Sequence, residues 1–279
     1  MVIASGGLRE RLTLCLLVAL LLIATLPTPA LAAPEEEWTR RFGTEQDDRV
    51  WGLAVGPQGV YVGGGIGPDT AWTTTRAYLR KYDSDGGAVW TSWSAPPQGQ
   101  NGRTEILSLA LDETGVYAGG WISRVSDNDY LEMGLLRKYS HGGSVLWERH
   151  LRPGKTRQSF VSATAADETG LYVTILSPGG TFLRRYNSDG DLLWTRPSGD
   201  YNTGLDIGTD GVYVSGVRDN QAFLEKFTHG GRHVWVRRWD VFRLAVSGED
   251  VYVLGSQTTG DGRRRFLRKY SVDGRAIWT

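Results

Sequence analysis

The two tetrapeptides closest to a chemical motif are Asp83-Ser84-Asp85-Gly86 and Asn187-Ser188-Asp189-Gly190, which read like the opening of a calcium loop. A working loop needs further oxygen ligands and a distal bidentate glutamate, and neither follows here. His141-Gly142 and His229-Gly230 stand at the same point of two similar stretches. What the four places share is therefore the geometry of a tight hairpin, and the two histidines are expected as exposed turn residues. Together with His150 and His233 they show no zinc-ligand spacing, so no metal is expected. Neither a G-x-S-x-G elbow, an H-E-x-x-H helix nor a P-loop occurs. Gly63-Gly64-Gly65 opens no helical pattern and reads as a strand end. No catalytic residue and no cofactor is expected.

The N-terminus has its own logic. Arg9 and Arg11 lead into an apolar run at 12–26, followed by Ala30-Leu31-Ala32. A basic start, a short apolar stretch and an A-x-A site make a secretory signal peptide over residues 1–32. The run falls short of the ~20 residues of a membrane span, so no transmembrane segment is expected in the mature chain. The single cysteine, Cys15, lies inside that segment, which leaves an exported chain without disulfides. Acids and bases balance at 31 each, so no global field draws nucleic acid. Thirty-seven glycines and the lack of helical periodicity after residue 33 point to an all-β fold. Residues 33–37 read as a short acidic linker.

From residue 38 the chain repeats itself. Y-L-R-K-Y-D-S-D-G-G-A-V-W at 78–90 returns with its final tryptophan at 147, 194, 235 and 278, and Trp38 opens the series. Intervals of roughly 40–57 residues match one four-stranded propeller blade. Turn signals divide each unit into four strands: an inner strand such as 51–55, a V-Y-V strand such as 60–64, the L-R-K-Y strand and the tryptophan strand. One inner column reads Ala54, Ala110, Ala165, Asp206, Ala245, small enough for sheets converging on an axis. The expected fold is an all-β β-propeller of four-stranded blades with five repeats over 38–279. It is either a five-bladed ring, closed by the strand at 38–42, or a truncated larger propeller.

W-T-R-R-F-G-T at 38–44, Asp47-Asp48, G-L-A-V at 52–55, G-V-Y-V-G-G at 59–64 and Y-L-R-K-Y-D-S-D-G at 78–86 resemble the bacterial seven-bladed, or SBBP-type, β-propeller repeat. The resemblance covers 38–279, with the first unit matching throughout. Members usually carry Asn after the turn glycine, where this chain has Val60, Val116, Leu171 and Val212, and Asp250 replaces that glycine in the fifth unit. The resemblance implies an exported, cell-surface or periplasmic location and little defined chemistry.

Alternating strands sort the connections onto two ends. Short regular turns fall at one end, and long irregular loops at 66–76, 92–105, 123–133, 151–159 and 256–265 fall at the other. Variable loops on a rigid scaffold are where binding sits. Trp72, Trp93, Trp121, Asp127, Asp129 and Tyr130 are the candidate ligand-binding residues of that end. Asp206 is the candidate at the channel, with a partner base expected in its own blade. The expected function is a non-catalytic binding or architectural module with a protein or polysaccharide partner. A lectin using the aromatic residues is the alternative. A channel-mouth enzyme (lyase, glycosidase or quinoprotein-like) would need acids and bases converging on the axis.

Overall fold

Asp-Gly and Gly-Gly steps between runs of valine, tyrosine and leucine drive hairpin after hairpin. The computed structural model describes residues 36–45, 47–67, 75–95, 102–126, 129–153, 157–168, 170–238, 240–260 and 262–279. The predicted export segment and most of the acidic leader lie outside them. The chain divides into Met1–Thr39 and Arg40–Thr279. In the first unit Thr39 Oγ1 donates to Glu36 Oε1 at 2.6 Å.

The second unit consists of five four-stranded antiparallel blades in simple up-and-down order. The first is β1 (Asp48–Gly56), β2 (Gly59–Ile66), β3 (Arg76–Tyr82) and β4 (Ala88–Ser94). The second is β5 (Thr104–Asp112), β6 (Gly115–Ser126), β7 (Asp129–Tyr139) and β8 (Val145–Leu151). The third is β9 (Phe160–Asp167), β10 (Gly170–Ser177), β11 (Gly180–Tyr186) and β12 (Leu192–Pro197). The fourth is β13 (Tyr201–Gly208), β14 (Gly211–Arg218), β15 (Gln221–Phe227) and β16 (His233–Arg238). The fifth is β17 (Asp240–Ser247), β18 (Asp250–Thr259), β19 (Gly262–Ser271) and β20 (Ala276–Trp278).

The core lies between blades. Leu79 of the first blade meets Ile106, Leu109 and Ala118 of the second, and the pattern recurs at the later joints. Across each sheet one row of side chains runs Ala54, Tyr61, Lys81, Trp90 and its equivalents. The tyrosine and tryptophan rings lie 5.9–6.1 Å apart, tilted, in the first four blades. The tryptophan does more than pack its own outer strand. Its Nε1 donates to a turn carbonyl of the following blade: His141 at 3.1 Å, Ser188 at 2.9 Å, His229 at 3.0 Å and Val272 at 2.9 Å. Its ring lies against the turn glycine there. Gly143, Gly190, Gly231 and Gly274 all have positive φ, and a Cβ on any of them would stand 2.8–3.0 Å from the indole. Glycine is required twice over, by conformation and by contact.

The histidines of these turns are not free turn residues. His141 Nδ1 accepts from the Tyr61 hydroxyl at 2.9 Å, and its Nε2 meets the Asp112 carbonyl at 3.2 Å. His229 joins Tyr172 and Thr209 in the same way. Each fastens one blade to the next.

The fifth blade corrects the expected ring closure. β20 pairs with β19, so the fifth sheet has its own outer strand and residues 40–42 are not that strand. Arg40 Nε instead donates to the Gly86 carbonyl of the first blade at 2.6 Å. Arg149, Arg196 and Arg237 hold the turns of the third, fourth and fifth blades in this way. Leu53 on the rear of the first blade is 66% exposed, whereas its equivalent Leu109 is 7% exposed. Leu254 and Leu267 on the front of the fifth blade are also exposed. Among the described residues, the first and fifth blades therefore lack the packing that joins the others.

Candidate functional site

Four places gather polar or aromatic side chains. At the axis the inner strands converge on a cavity of about 540 Å³ lined by Leu53, Leu109, Thr164, Asp206 and Ile207 among others. The alanines of the inner column keep it open and chemically plain. Asp206 Oδ2 accepts from the Val246 amide of the fifth blade at 2.7 Å, and Oδ1 from the Ile207 amide at 2.9 Å. No base of its own blade partners it among the described residues, contrary to expectation. The carboxylate instead ties two inner strands together, with backbone N–H groups doing the work of a cation.

Burial raises the Asp206 pKa, and the two amides oppose that shift. A folded pKa above the unfolded one gives stability that is full below the unfolded pKa and is lost as pH rises through the folded pKa. Wild-type stability relative to Asp206→Asn should therefore fall between about pH 4 and pH 7. Urea unfolding of both proteins at the two pH values checks the sign, and an opposite slope would reverse the assignment of cause.

At the irregular-loop end, two of the expected loops turn out to be hairpins. β6 and β7 stay in register as far as Ser126 and Asp129, well past Ile122, the counterpart of Ile66 in the first blade. The extra length is roughly 13 Å. β18 and β19 likewise continue to Thr259 and Gly262. Strand alternation on either side of Ser126-Asp127-Asn128-Asp129 was the signal available in the sequence, masked by the polar character of the flanks.

Trp121 and Tyr130 share the longer hairpin. The Arg103 guanidinium lies 5.6 Å from the Trp121 ring centroid. Tyr130 is exposed near the tip, and burial together with the neighbouring Glu132 carboxylate raises its pKa. Burial raises the Glu132 pKa in turn, against the Tyr130 hydrogen bond and the Arg103 charge. The base of the hairpin is braced by the Glu132 amide donating to the Arg157 carbonyl at 2.9 Å, and by the Ser159 amide donating to the Glu132 carbonyl at 3.1 Å. Trp93 is exposed on β4 of the first blade and tilts against Tyr78. Trp72 and Asp127 lie outside the described residues, and Asp129 opens β7.

Two constellations escaped the sequence reading. Trp51 is the bulged residue of β1, and its Nε1 donates to Glu105 Oε1 at 2.8 Å, with Arg49 at 3.8 Å from the same carboxylate. In the fourth blade, Leu224-Glu225-Lys226-Phe227 replaces L-R-K-Y. Glu225 is 1% exposed. It takes hydrogen bonds from Ser198 at 2.5 Å and Arg218 at 3.1 Å, with His233 at 3.6 Å. A cavity of about 530 Å³ opens beside it, lined by Arg196, Asp200 and Phe227 as well. The departure from the repeat was visible, but its partner Arg218 was not.

No family model matches the chain, and no curated protein does. Among solved structures, BamB from Moraxella catarrhalis is 14% identical with a TM-score of 0.42, over 81% of this chain and 86% of that one. The PQQ-bound aldose sugar dehydrogenase from Streptomyces coelicolor is 15% identical with a TM-score of 0.42, over 81% of each chain. Apo AztD from Citrobacter koseri is 14% identical with a TM-score of 0.43, over 84% of this chain but 59% of that one. Likenesses at this level carry no functional argument. The blades themselves establish a β-propeller.

Proposed function

We propose that this chain is an exported, non-catalytic β-propeller that binds a protein or polysaccharide through its irregular-loop end. The observation that carries the reading is the lengthened β6–β7 hairpin, which lifts Tyr130 beyond the other strand ends, while β18–β19 runs two residue pairs past them. Rigid strands presenting an aromatic tip suit a binding hot spot. Of the acids lining the axial cavity, Asp167, Glu168 and Asp206, the last is committed to backbone amides. Among the described residues no helix is long and apolar enough to cross a membrane. The basic and apolar segment ahead of Ala30-Leu31-Ala32 supports export.

Screening the purified chain against glycans and polysaccharides tests this, alongside a Trp93→Ala/Tyr130→Ala variant. Both side chains are exposed, so the variant should stay folded while affinity drops by about tenfold or more. Undiminished binding by a folded variant would remove these aromatics from the site.

A further inference from the structure

The innermost strand of each of the first four blades slips register against its neighbour at the same place. The residues left unpaired by the slip are Trp51, Leu107, Ser162 and Thr203. A bulge re-aims the side chain it carries, and bulges recur beside functional sites. In the third and fourth blades the re-aimed hydroxyls bond within their own sheet: Ser162 Oγ lies 2.9 Å from Thr174 Oγ1, and Thr203 Oγ1 lies 3.0 Å from Ser215 Oγ. Leu107 is half-buried. Trp51 differs from all three, being 58% exposed and yet tied to the following blade.

That tie is specific. The Trp51 indole donates to Glu105 Oε1 at 2.8 Å, and Glu105 is itself buried. Arg49 Nη1 lies 3.8 Å from the same oxygen. Gly65 makes room for the carboxylate, since a Cβ there would stand 3.1 Å from Glu105 Cγ and Oε1. Val50, Leu53 and Val55 are also exposed on this strand, but an aliphatic side chain has no polar group to fix its direction. An indole has one, its N–H. Held by that atom on a buried carboxylate, the ring keeps one orientation with apolar surface in water. A ligand that covers it meets a surface already ordered, which lowers the entropy lost on binding.

The chemistry of the ligand follows from the groups present. With its donor engaged, the indole offers a flat apolar face. Glu105 and Arg49 cancel in charge, so the pair selects neither a cation nor an anion, but it sets an acceptor beside a donor. A pyranose ring matches both features, with C–H groups on one face and hydroxyls that donate and accept around its edge. We propose that Trp51 is the floor of a subsite for a neutral sugar at the loop end of the inner strands, with Glu105 and Arg49 serving the hydroxyls. From there the surface leads outward. Glu105 stands opposite Trp121 in the β5–β6 ladder, and Tyr130 pairs with Val125, four residues further along β6, a span of roughly 13 Å. Such a path suits an oligosaccharide rather than a single sugar. The inference rests on the loop-end binding reading and names the class of its partner.

The test measures binding of cellohexaose, maltohexaose, mannohexaose, hexagalacturonate and oligolysine to the purified chain at low and high sodium chloride. Trp51→Ala, Trp51→Phe and Trp93→Ala/Tyr130→Ala variants are compared, with urea unfolding to confirm that each is folded. The expected result is that a neutral hexasaccharide binds with an affinity that salt does not change. Trp51→Ala should lose about tenfold, and Trp51→Phe, which keeps a flat ring, should lose less. Binding undiminished in Trp51→Ala but lost in Trp93→Ala/Tyr130→Ala would overturn the Trp51 subsite and leave the loop-end reading intact. Tightest binding by hexagalacturonate or oligolysine, weakened by salt, would overturn the neutral sugar. No binding of any probe would overturn the sugar subsite and leave the loop-end reading to a protein partner.

Discussion

Trp235→Ala should destabilise the propeller by about 3–5 kcal/mol, the range for removing a buried tryptophan. The ring is 9% exposed and sits against Tyr213 at 5.9 Å. It also covers Gly274 of the fifth blade, donates to the Val272 carbonyl at 2.9 Å and carries Arg237 at 5.3 Å. Truncation opens a cavity at a joint between blades and strands that carbonyl. Trp278 holds the same place in the row, 6.3 Å from Tyr252, but it is 44% exposed and no blade covers it among the described residues. Trp278→Ala should cost clearly less, since nearly half of its area stays in water on folding. Urea unfolding of both variants separates two accounts of the repeat. Equal losses would mean that the tryptophan supports its own sheet rather than the joint.

Arg218→Ala should cost about 3 kcal/mol, because it leaves the Glu225 carboxylate buried with its main cation gone. Ser198 at 2.5 Å and His233 at 3.6 Å do not replace a guanidinium that contacts both carboxylate oxygens. The double variant Arg218→Leu/Glu225→Leu removes both charges and should recover much of that loss. Van der Waals packing on Phe223, which Arg218 now covers at 4.8 Å, is retained by leucine. Denaturation of the single and double variants checks this. A single-variant loss below about 1 kcal/mol would show that water already solvates the pair.

Blades were legible in the sequence because each strand carries a fixed marker: tyrosine on the second, L-R-K-Y on the third, tryptophan on the fourth. What those markers touch was not. The row Tyr61, Lys81, Trp90 reads as one sheet's surface, and only the fold brings it against His141 and Gly143 of the next blade. Contacts between repeats leave no periodic trace of their own. Asp206 shows the same limit. Its departure from an alanine column was plain, but a backbone amide of Val246 has no sequence signature. The polar flanks of 123–133 hid a hairpin, since buried Ser123 and exposed Arg124 both read as loop. For the candidate residues, the sequence placed Trp93, Trp121 and Tyr130 at one end of the propeller. It did not foresee that Arg103 would cover one of them and Glu132 take the hydroxyl of another.

Hydrogen–deuterium exchange of the purified chain, free and saturated with the tightest binder from the glycan and polysaccharide screen, addresses the central claim most directly. A loop-end docking surface predicts slowed exchange in peptides covering 121–133 and 256–266, with the short turns at 56–59, 112–115, 167–170 and 208–211 unchanged. Protection confined to those turns or to the inner strands at the axis, or no protection anywhere, would contradict it.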